Sequence, residues 1–138
     1  MSIQISIIGT GYVGCTSAAC LSKMGHKVIC IDKDDAKVRK INRGVATIVE
    51  EDVQPMILEG VQKSLISATS DIYSAVRDSN YTFVCVNTPN TKDGNLDHTH
   101  VYSAAKDIGK AIFEKNDYHL VLLRSTVSPG SGVIVENI

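Results

Sequence analysis

The sequence lacks an excess of charge of either sign and any long apolar run. Its 138 residues carry 14 Lys and Arg against 15 Asp and Glu, a formal net charge of −1. Such a balance gives no excess of positive charge with which to bind nucleic acid or an anionic membrane. No apolar run approaches the roughly 20 residues that span a bilayer, and the first residues lack the cationic segment of a signal peptide. We therefore expect a cytoplasmic protein that binds neither nucleic acid nor membrane.

Cysteine and histidine groupings of the metal-binding kind are also absent. The chain has four cysteines, none in a CxxC motif: Cys15, Cys20, Cys30 and Cys85. Because free cysteine is among the most buried residue types, we expect four reduced thiols in the core. His98 and His100 have no nearby Cys or carboxylate set and would point apart on a helix. The sequence therefore predicts no metal site.

What the chain does have is a regular alternation of apolar runs and helix-like stretches. Strands are predicted at 4–9, 27–32, 65–70, 81–87 and 119–126. Helices are predicted at 14–25, 35–44, after the acidic cluster 50–52, from the N-cap Asp71 through Arg77, and at 98–115. This succession favours one α/β domain over residues 1–138, a Rossmann-type, doubly wound parallel sheet in a three-layer α/β/α arrangement.

The glycines of "IIGTGYVG" point to a dinucleotide. Gly9, Gly11 and Gly14 follow a predicted strand and open a helix near Tyr12, whose free N–H groups would face phosphates. Asp32 ends the second strand, 18 residues beyond Gly14, where a carboxylate can bind the adenosine ribose and repel a 2′-phosphate. This context predicts binding of NAD in preference to NADP. The alternative for Asp32 is a cap on the helix that starts near residue 34.

Four separated motifs, in order, carry a family resemblance: "GTGYVG", "NRGVATIVEED", "CVNTPNTKDGNLD" and "RSTVSPG". Together they resemble the N-terminal NAD-binding domain of the UDP-glucose/GDP-mannose dehydrogenase family, the nucleotide-sugar 6-dehydrogenases, over essentially the whole chain. The resemblance implies oxidation of the C6 alcohol of GDP-mannose or UDP-glucose to a carboxylate, with two molecules of NAD⁺ reduced. It also implies a homodimer or higher homo-oligomer and a place in polysaccharide biosynthesis.

The resemblance implies roles for individual residues. Its implied cofactor-binding positions are Gly9, Gly11, Tyr12, Val13, Gly14, Asp32, Lys37, Thr88 and Thr126. Thr126 would also assist the chemistry near the reacting carbon, and Glu50 would lie on the substrate side. Here the chain departs from the family, because it has "TIVEEDV" where the family usually has "PIVEPGL". The alternative for Glu50 is a solvated acidic start of a helix, and for Thr88 and Thr126 strand-end hydroxyls that satisfy a turn.

The family's thioester-forming cysteine lies in a C-terminal half that this sequence does not include. Cys85 does not match its motif, so we expect the chain to bind NAD without turnover and to be part of a longer protein. Two other functions remain open. One is a β-hydroxyacid dehydrogenase, which the loop "NTPNTKDG" disfavours, and the other is a non-catalytic NAD-sensing module. The arginine of "RSTV" and the long loop "TPNTKDGNLD" resemble the GDP-mannose branch of the family slightly more than the UDP-glucose branch.

Overall fold

The structure is a computed structural model that describes residues 2–115 and 117–138. Five parallel strands form one sheet in the order β3-β2-β1-β4-β5. The strands are β1 (Gln4–Ile8), β2 (Lys27–Ile31), β3 (Ile66–Thr69), β4 (Tyr81–Val84) and β5 (Leu120–Leu123). The helices are α1 (Tyr12–Lys23), α2 (Asp35–Asn42), α3 (Val53–Gln62), α4 (Ile72–Arg77), α5 (Thr99–Lys115) and α6 (Ser131–Glu136). The doubly wound parallel sheet is confirmed, and its strand order reverses between β1 and β4.

Each face of the sheet carries its own core. One core packs Ile5 and Ile7 of β1 against the small residues of α1 and against Ile57 of α3. The other packs Ile8 of β1 against α4 and α5, including Ile108. The alternation of side chains along a strand sends these isoleucines to opposite faces, which gives the predicted three layers. No helix in the described part of the chain is long and apolar enough to cross a membrane.

The predicted strands at 81–87 and 119–126 are longer than the observed β4 and β5. The backbone N–H groups of Arg124 and Ser125 both donate to the carbonyl of Val84, at 2.9 Å each. Two successive donors on one acceptor cannot continue a parallel ladder, so both strands leave the sheet there. The two segments that follow are therefore loops at the carboxyl end of the sheet.

One prediction about the thiols is wrong. Cys15, Cys30 and Cys85 are buried and free, but Cys20 is exposed. Helix α1 buries Cys15, Ala18, Ala19 and Ser22, a stripe at helical spacing that leaves position 20 on the opposite, solvent-facing side. Its small, mixed sequence gave no strong amphipathic pattern from which that side could be inferred.

Candidate functional site

A cavity of about 360 Å³ opens at the carboxyl ends of β1, β2 and β4, where the strand order reverses. Open α/β sheets bind ligands at this position because diverging crossovers leave a crevice there. The cavity is lined by the glycine loop after β1, by Asp32 and Lys37, and by residues of helix α5. The structure thus brings Gly9, Gly11 and Asp32, which the glycine pattern and its spacing single out, to one cavity with Lys37, which the family resemblance singles out.

At two of the three loop glycines, a side chain would clash with the protein backbone. Gly9 has φ +92°, and a Cβ there would lie 2.6 Å from the carbonyl oxygen of Cys85. A Cβ on Gly14 would lie 1.8 Å from the carbonyl oxygen of Gly9, so helix and strand could not approach as closely. A Cβ on Gly11 would instead meet only Asn87 Oδ1, at 3.9 Å. The space above Gly11 is therefore open on the cavity side, and it fits a group that approaches the backbone, such as a pyrophosphate.

Asp32 is held by three hydrogen bonds from the backbone and side chains around it. Its Oδ2 accepts from the Thr10 amide at 2.9 Å and from Thr10 Oγ1 at 2.5 Å, and its Oδ1 accepts from the Asp34 amide at 3.0 Å. Lys37 Nζ lies 3.6 Å from Oδ2, and the Asp32 side chain is 13% exposed. The helix cap is Asp34, whose own carboxylate accepts from the Ala36 amide. Asp32 is therefore not the cap of α2.

The surroundings keep Asp32 ionised. Burial alone would raise the pKa of the Asp32 carboxyl, but hydrogen bonds from Thr10 and Asp34 and the charge of Lys37 outweigh it and lower that pKa. Burial is the largest single cause, and among the causes that lower the pKa the hydrogen bonds from Thr10 and Asp34 exceed the charge of Lys37, because donors stabilise the ionised carboxylate more than the neutral acid. The cavity therefore presents a fixed negative charge that can accept bonds from sugar hydroxyls.

The part of the cavity that helix α5 lines was not predicted from the sequence. His100, Ser103 and Asp107 line the cavity from one face of α5, together with Ala104. Their spacing of three and four residues is the sequence signal for this side of the cavity, and it is shared by many exposed helix faces. His98 does not share that face, because α5 begins at Thr99.

His98 instead makes its contacts just before the start of α5. Its Nε2 accepts a hydrogen bond from the Ser128 amide at 3.3 Å, and its ring lies 5.8 Å from that of Tyr102. The expectation that His98 and His100 point apart on one helix therefore does not apply to His98. It links the start of α5 to the loop after β5.

The remaining predicted residues do not line the cavity. Tyr12 and Val13 are exposed in the first turn of α1, at 60% and 45%. Thr88 is half-buried beyond the end of β4, and Thr126 is exposed beyond β5. Glu50 is exposed just before α3, and its carbonyl, not its carboxylate, accepts from the Val53 amide. The roles implied for these five residues stay predictions.

Cys85 lies at the cavity but is not a reactive thiol. It is 6% exposed, and burial raises its pKa to about 11, with only a partial offset from Arg124. The thiolate is the nucleophile in cysteine chemistry, so a thiol that stays protonated near neutral pH does not serve as one. Its carbonyl oxygen, which crowds Gly9, is its contribution to the site.

Comparison with known proteins identifies the family. The sequence model of the "UDP-glucose/GDP-mannose dehydrogenase family, NAD binding domain" matches residues 3–138. The chain is 43% identical over 129 residues to a GDP-mannose 6-dehydrogenase of Pseudomonas aeruginosa, covering 94% of this chain and 30% of that protein. It is 38% identical over 135 residues to UDP-glucose 6-dehydrogenase TuaD of Bacillus subtilis, covering 98% of this chain and 29% of the relative.

A solved structure gives the same result. In a ternary complex of GDP-mannose dehydrogenase from Pseudomonas aeruginosa, the matching region superposes with a TM-score of 0.93 at 44% identity. The match covers 95% of this chain and 30% of that one, so the chain spans about a third of the length of the proteins it resembles. The glycine loop, the ionised Asp32 and the cavity at the strand reversal agree with that match. The chain belongs to the UDP-glucose/GDP-mannose dehydrogenase family and corresponds to its NAD-binding domain.

Proposed function

We propose that the chain is the cofactor-binding part of an NAD-dependent nucleotide-sugar 6-dehydrogenase, which oxidises the C6 alcohol of GDP-mannose or UDP-glucose to a carboxylate. The observation that carries the proposal is the ionised Asp32 beside an open glycine loop, within a chain that matches this family over nearly its full length. NAD⁺ would supply the hydride acceptor. The family match favours this function over that of a β-hydroxyacid dehydrogenase.

The residues of the cavity have distinct binding tasks. Asp32 Oδ1 accepts only one hydrogen bond among the described residues, and a carboxylate oxygen has capacity for a second, so it can accept one from a ribose hydroxyl. A 2′-phosphate would meet the same negative charge and be repelled, although Lys33 and Lys37 lie nearby. The open backbone at Gly11 and the first turn of α1 would hold the pyrophosphate.

The loops after β4 and β5 would hold the reacting end of the cofactor. Ser125 Oγ donates to the carbonyls of Val84 and Val86, at 3.2 and 2.7 Å. This hydroxyl fixes the two loops against each other, and they carry Thr88 and Thr126 respectively. We propose that Thr88 and Thr126 contact the cofactor and that Thr126 assists the chemistry as a hydrogen-bonding group.

Cys85, the one cysteine of the described residues that lines the cavity, is buried and protonated and so is not suited to a thioester mechanism. Cys20 is exposed on α1 but does not line the cavity. Turnover would then require a thiol supplied elsewhere in the protein. We propose that Glu50 faces the nucleotide sugar, that the complete enzyme is a cytoplasmic homodimer or higher homo-oligomer, and that GDP-mannose is its preferred substrate. A role in polysaccharide biosynthesis follows from such a product.

The binding part of the proposal can be tested by calorimetry with NAD⁺ and NADP⁺. We expect saturable binding of NAD⁺ and weaker binding of NADP⁺. Asp32→Asn should weaken NAD⁺ binding by about tenfold or more, since a hydrogen bond to a charged acceptor contributes about 1.5–3 kcal/mol. Asp35→Asn is the matched control, because Asp35 is an exposed carboxylate on α2 outside the cavity. Equal effects of the two variants, or tighter binding of NADP⁺, would contradict the assignment.

The catalytic part needs the longer protein. NADH formation with GDP-mannose and with UDP-glucose would support a dehydrogenase and rank the two substrates. A protein that binds NAD⁺ but forms no NADH with either sugar nucleotide would instead support the NAD-sensing module.

A further inference from the structure

Thr10 occupies a position that the glycine fingerprint leaves free. It lies between Gly9 and Gly11, where the dinucleotide-binding pattern accepts any residue. In the structure, however, Thr10 is 1% exposed, and a buried hydroxyl needs a hydrogen-bond partner. That partner is the Asp32 carboxylate, 22 residues further along the chain.

Thr10 binds one carboxylate oxygen twice. Its amide and its Oγ1 both donate to Asp32 Oδ2, at 2.9 and 2.5 Å, and Lys37 Nζ lies 3.6 Å from the same oxygen. Oδ2 therefore has its ordinary complement of donors, whereas Oδ1 accepts only from the Asp34 amide among the described residues. The carboxylate cannot rotate without breaking both bonds to Thr10.

The backbone of Thr10 is fixed from the other side as well. Its carbonyl oxygen accepts a hydrogen bond from Thr47 Oγ1 at 2.5 Å. Thr47 belongs to the loop between α2 and α3, so Thr10 lies between that loop and the ribose-side carboxylate. Fixed donors aimed at a charged group contribute more than mobile ones because no ordering is needed when the ligand binds.

We propose that Thr10 is a positioning residue for cofactor binding, whose hydroxyl orients the Asp32 carboxylate so that Oδ1 stays free for a ribose hydroxyl. This proposal rests on the proposed role of Asp32 and extends it to a residue that touches the cofactor only through Asp32. The lowered pKa of Asp32, to which the Thr10 bonds contribute against the effect of burial, agrees with the same arrangement.

The test compares Thr10→Val, which keeps the shape and the backbone amide but removes the hydroxyl, with Thr10→Ser, which keeps the hydroxyl. We expect Thr10→Val to weaken NAD⁺ binding by about two- to tenfold, because the freed Asp32 side chain must then be ordered when the cofactor binds. Thr10→Ser should bind nearly as tightly as the wild type. Thr16→Val is the control, because Thr16 is exposed on α1 and does not line the cavity. If Thr10→Val fails to fold, Thr10→Ala takes its place.

A second readout follows the titration of Asp32, first without and then with the cofactor. The ¹³C carboxyl signal of Asp32, identified by its loss in Asp32→Asn, should titrate below the ordinary range in the wild type. In Thr10→Val the pKa of Asp32 should rise, and the acid limb of NAD⁺ binding should move to higher pH with it. A merely structural role for Thr10 would lower stability without moving either of these.

The outcomes separate the two proposals. Weakened binding in Asp32→Asn together with unchanged binding and titration in Thr10→Val would overturn the role of Thr10 alone. Equal weakening in Thr10→Ser and Thr10→Val would also overturn it, because shape and not the hydroxyl would then be responsible. Unchanged binding in Asp32→Asn would instead refute the role of Asp32 itself.

Discussion

The amino-terminal half of the sheet contains a network of buried hydroxyl groups. We expect the loss of one of these hydroxyls, in Thr82→Val, to lower the stability of the fold. The network consists of Ser6 on β1, Thr82 on β4, Ser79 before β4 and His119 before β5. Thr82 Oγ1 lies 2.6 Å from Ser6 Oγ and 2.7 Å from His119 Nε2. Ser79 Oγ donates to Ser6 Oγ at 2.9 Å, and the three hydroxyl residues are at most 1% exposed. Thr82 is therefore the link between the strand pair and the histidine.

The direction of the hydrogen bonds follows from Lys115. Its ammonium group has only donors and lies 3.2 Å from His119 Nδ1, so Nδ1 is the acceptor and the proton of the neutral ring is on Nε2. Nε2 then donates to Thr82 Oγ1, which leaves the Thr82 proton for Ser6. The replacement Thr82→Val removes one acceptor and one donor at the same time.

We expect Thr82→Val to lower the free energy of unfolding by about 1–3 kcal/mol, because each lost bond contributes about 0.5–1.5 kcal/mol. Ser6 keeps its bond from Ser79, and the half-buried His119 keeps access to water, so the loss should not exceed this range. The double variant Ser6→Ala/Thr82→Val should lose less than the sum of the single variants, because both remove the same 2.6 Å bond.

Urea unfolding followed by circular dichroism measures these differences, with a shifted midpoint at constant slope as the sign of a pure stability change. Thr16→Val and Ser67→Ala are matched controls, since both residues are exposed, and they should change stability by less than about 0.5 kcal/mol. A Thr82→Val variant as stable as the wild type, or single effects that simply add, would refute the network as drawn.

Two further predictions concern pH and the glycine loop. Burial and then the charge of Lys115 lower the pKa of His119 below its ordinary 6.5, against a smaller opposing effect of the Ser79 backbone. The unfolded chain therefore binds more protons than the folded one near the pKa of histidine. The stability that depends on neutral His119 should be fully present above about pH 6.5 and decrease as the pH falls below that value. In urea unfolding, the free energy of unfolding of His119→Asn should change less with pH across that range. Gly14→Ala places a methyl 1.8 Å from the carbonyl oxygen of Gly9, so it should lower the free energy of unfolding by about 1–3 kcal/mol and weaken NAD⁺ binding. Gly109→Ala is the control, because nothing lies within 4 Å of the added methyl, and it should retain both stability and NAD⁺ affinity. Equal behaviour of the two variants in urea unfolding and calorimetry would contradict the close packing at Gly14.

The order and type of the elements could be predicted because each leaves a local pattern. Helix α5 shows apolar residues at spacings of three and four, and most of its buried residues belong to that predicted stripe. Asp71 was predicted as a cap, and its carboxylate accepts from the amides of Tyr73 and Ser74. The helix after the acidic cluster likewise begins at Val53, with Pro55 in its first turn.

What could not be predicted depends on contacts between distant residues. The ends of β4 and β5 are set by the shared acceptor Val84, and no local signal marks that acceptor. The role of Thr10 depends on a carboxylate that only the fold brings near. The exposure of Cys20 depends on which side of α1 meets the sheet and α3. In each case the residue type was compatible with the prediction, and tertiary packing decided the result.

The amino-terminal and carboxyl-terminal ends of the strands differ in how many of their donors and acceptors are already paired within the protein. In the hydroxyl network, Ser6, Ser79 and Thr82 all have protein partners, so a ligand would have to break existing bonds to enter. At the carboxyl end, Gly11 faces open space and Asp32 Oδ1 accepts one bond among the described residues. Since buried polar groups in folded proteins are nearly always satisfied, unused capacity beside a cavity favours a ligand over a purely structural role. The same reasoning distinguishes Thr10, whose donors are fully used on Asp32, from a residue that contacts the cofactor directly.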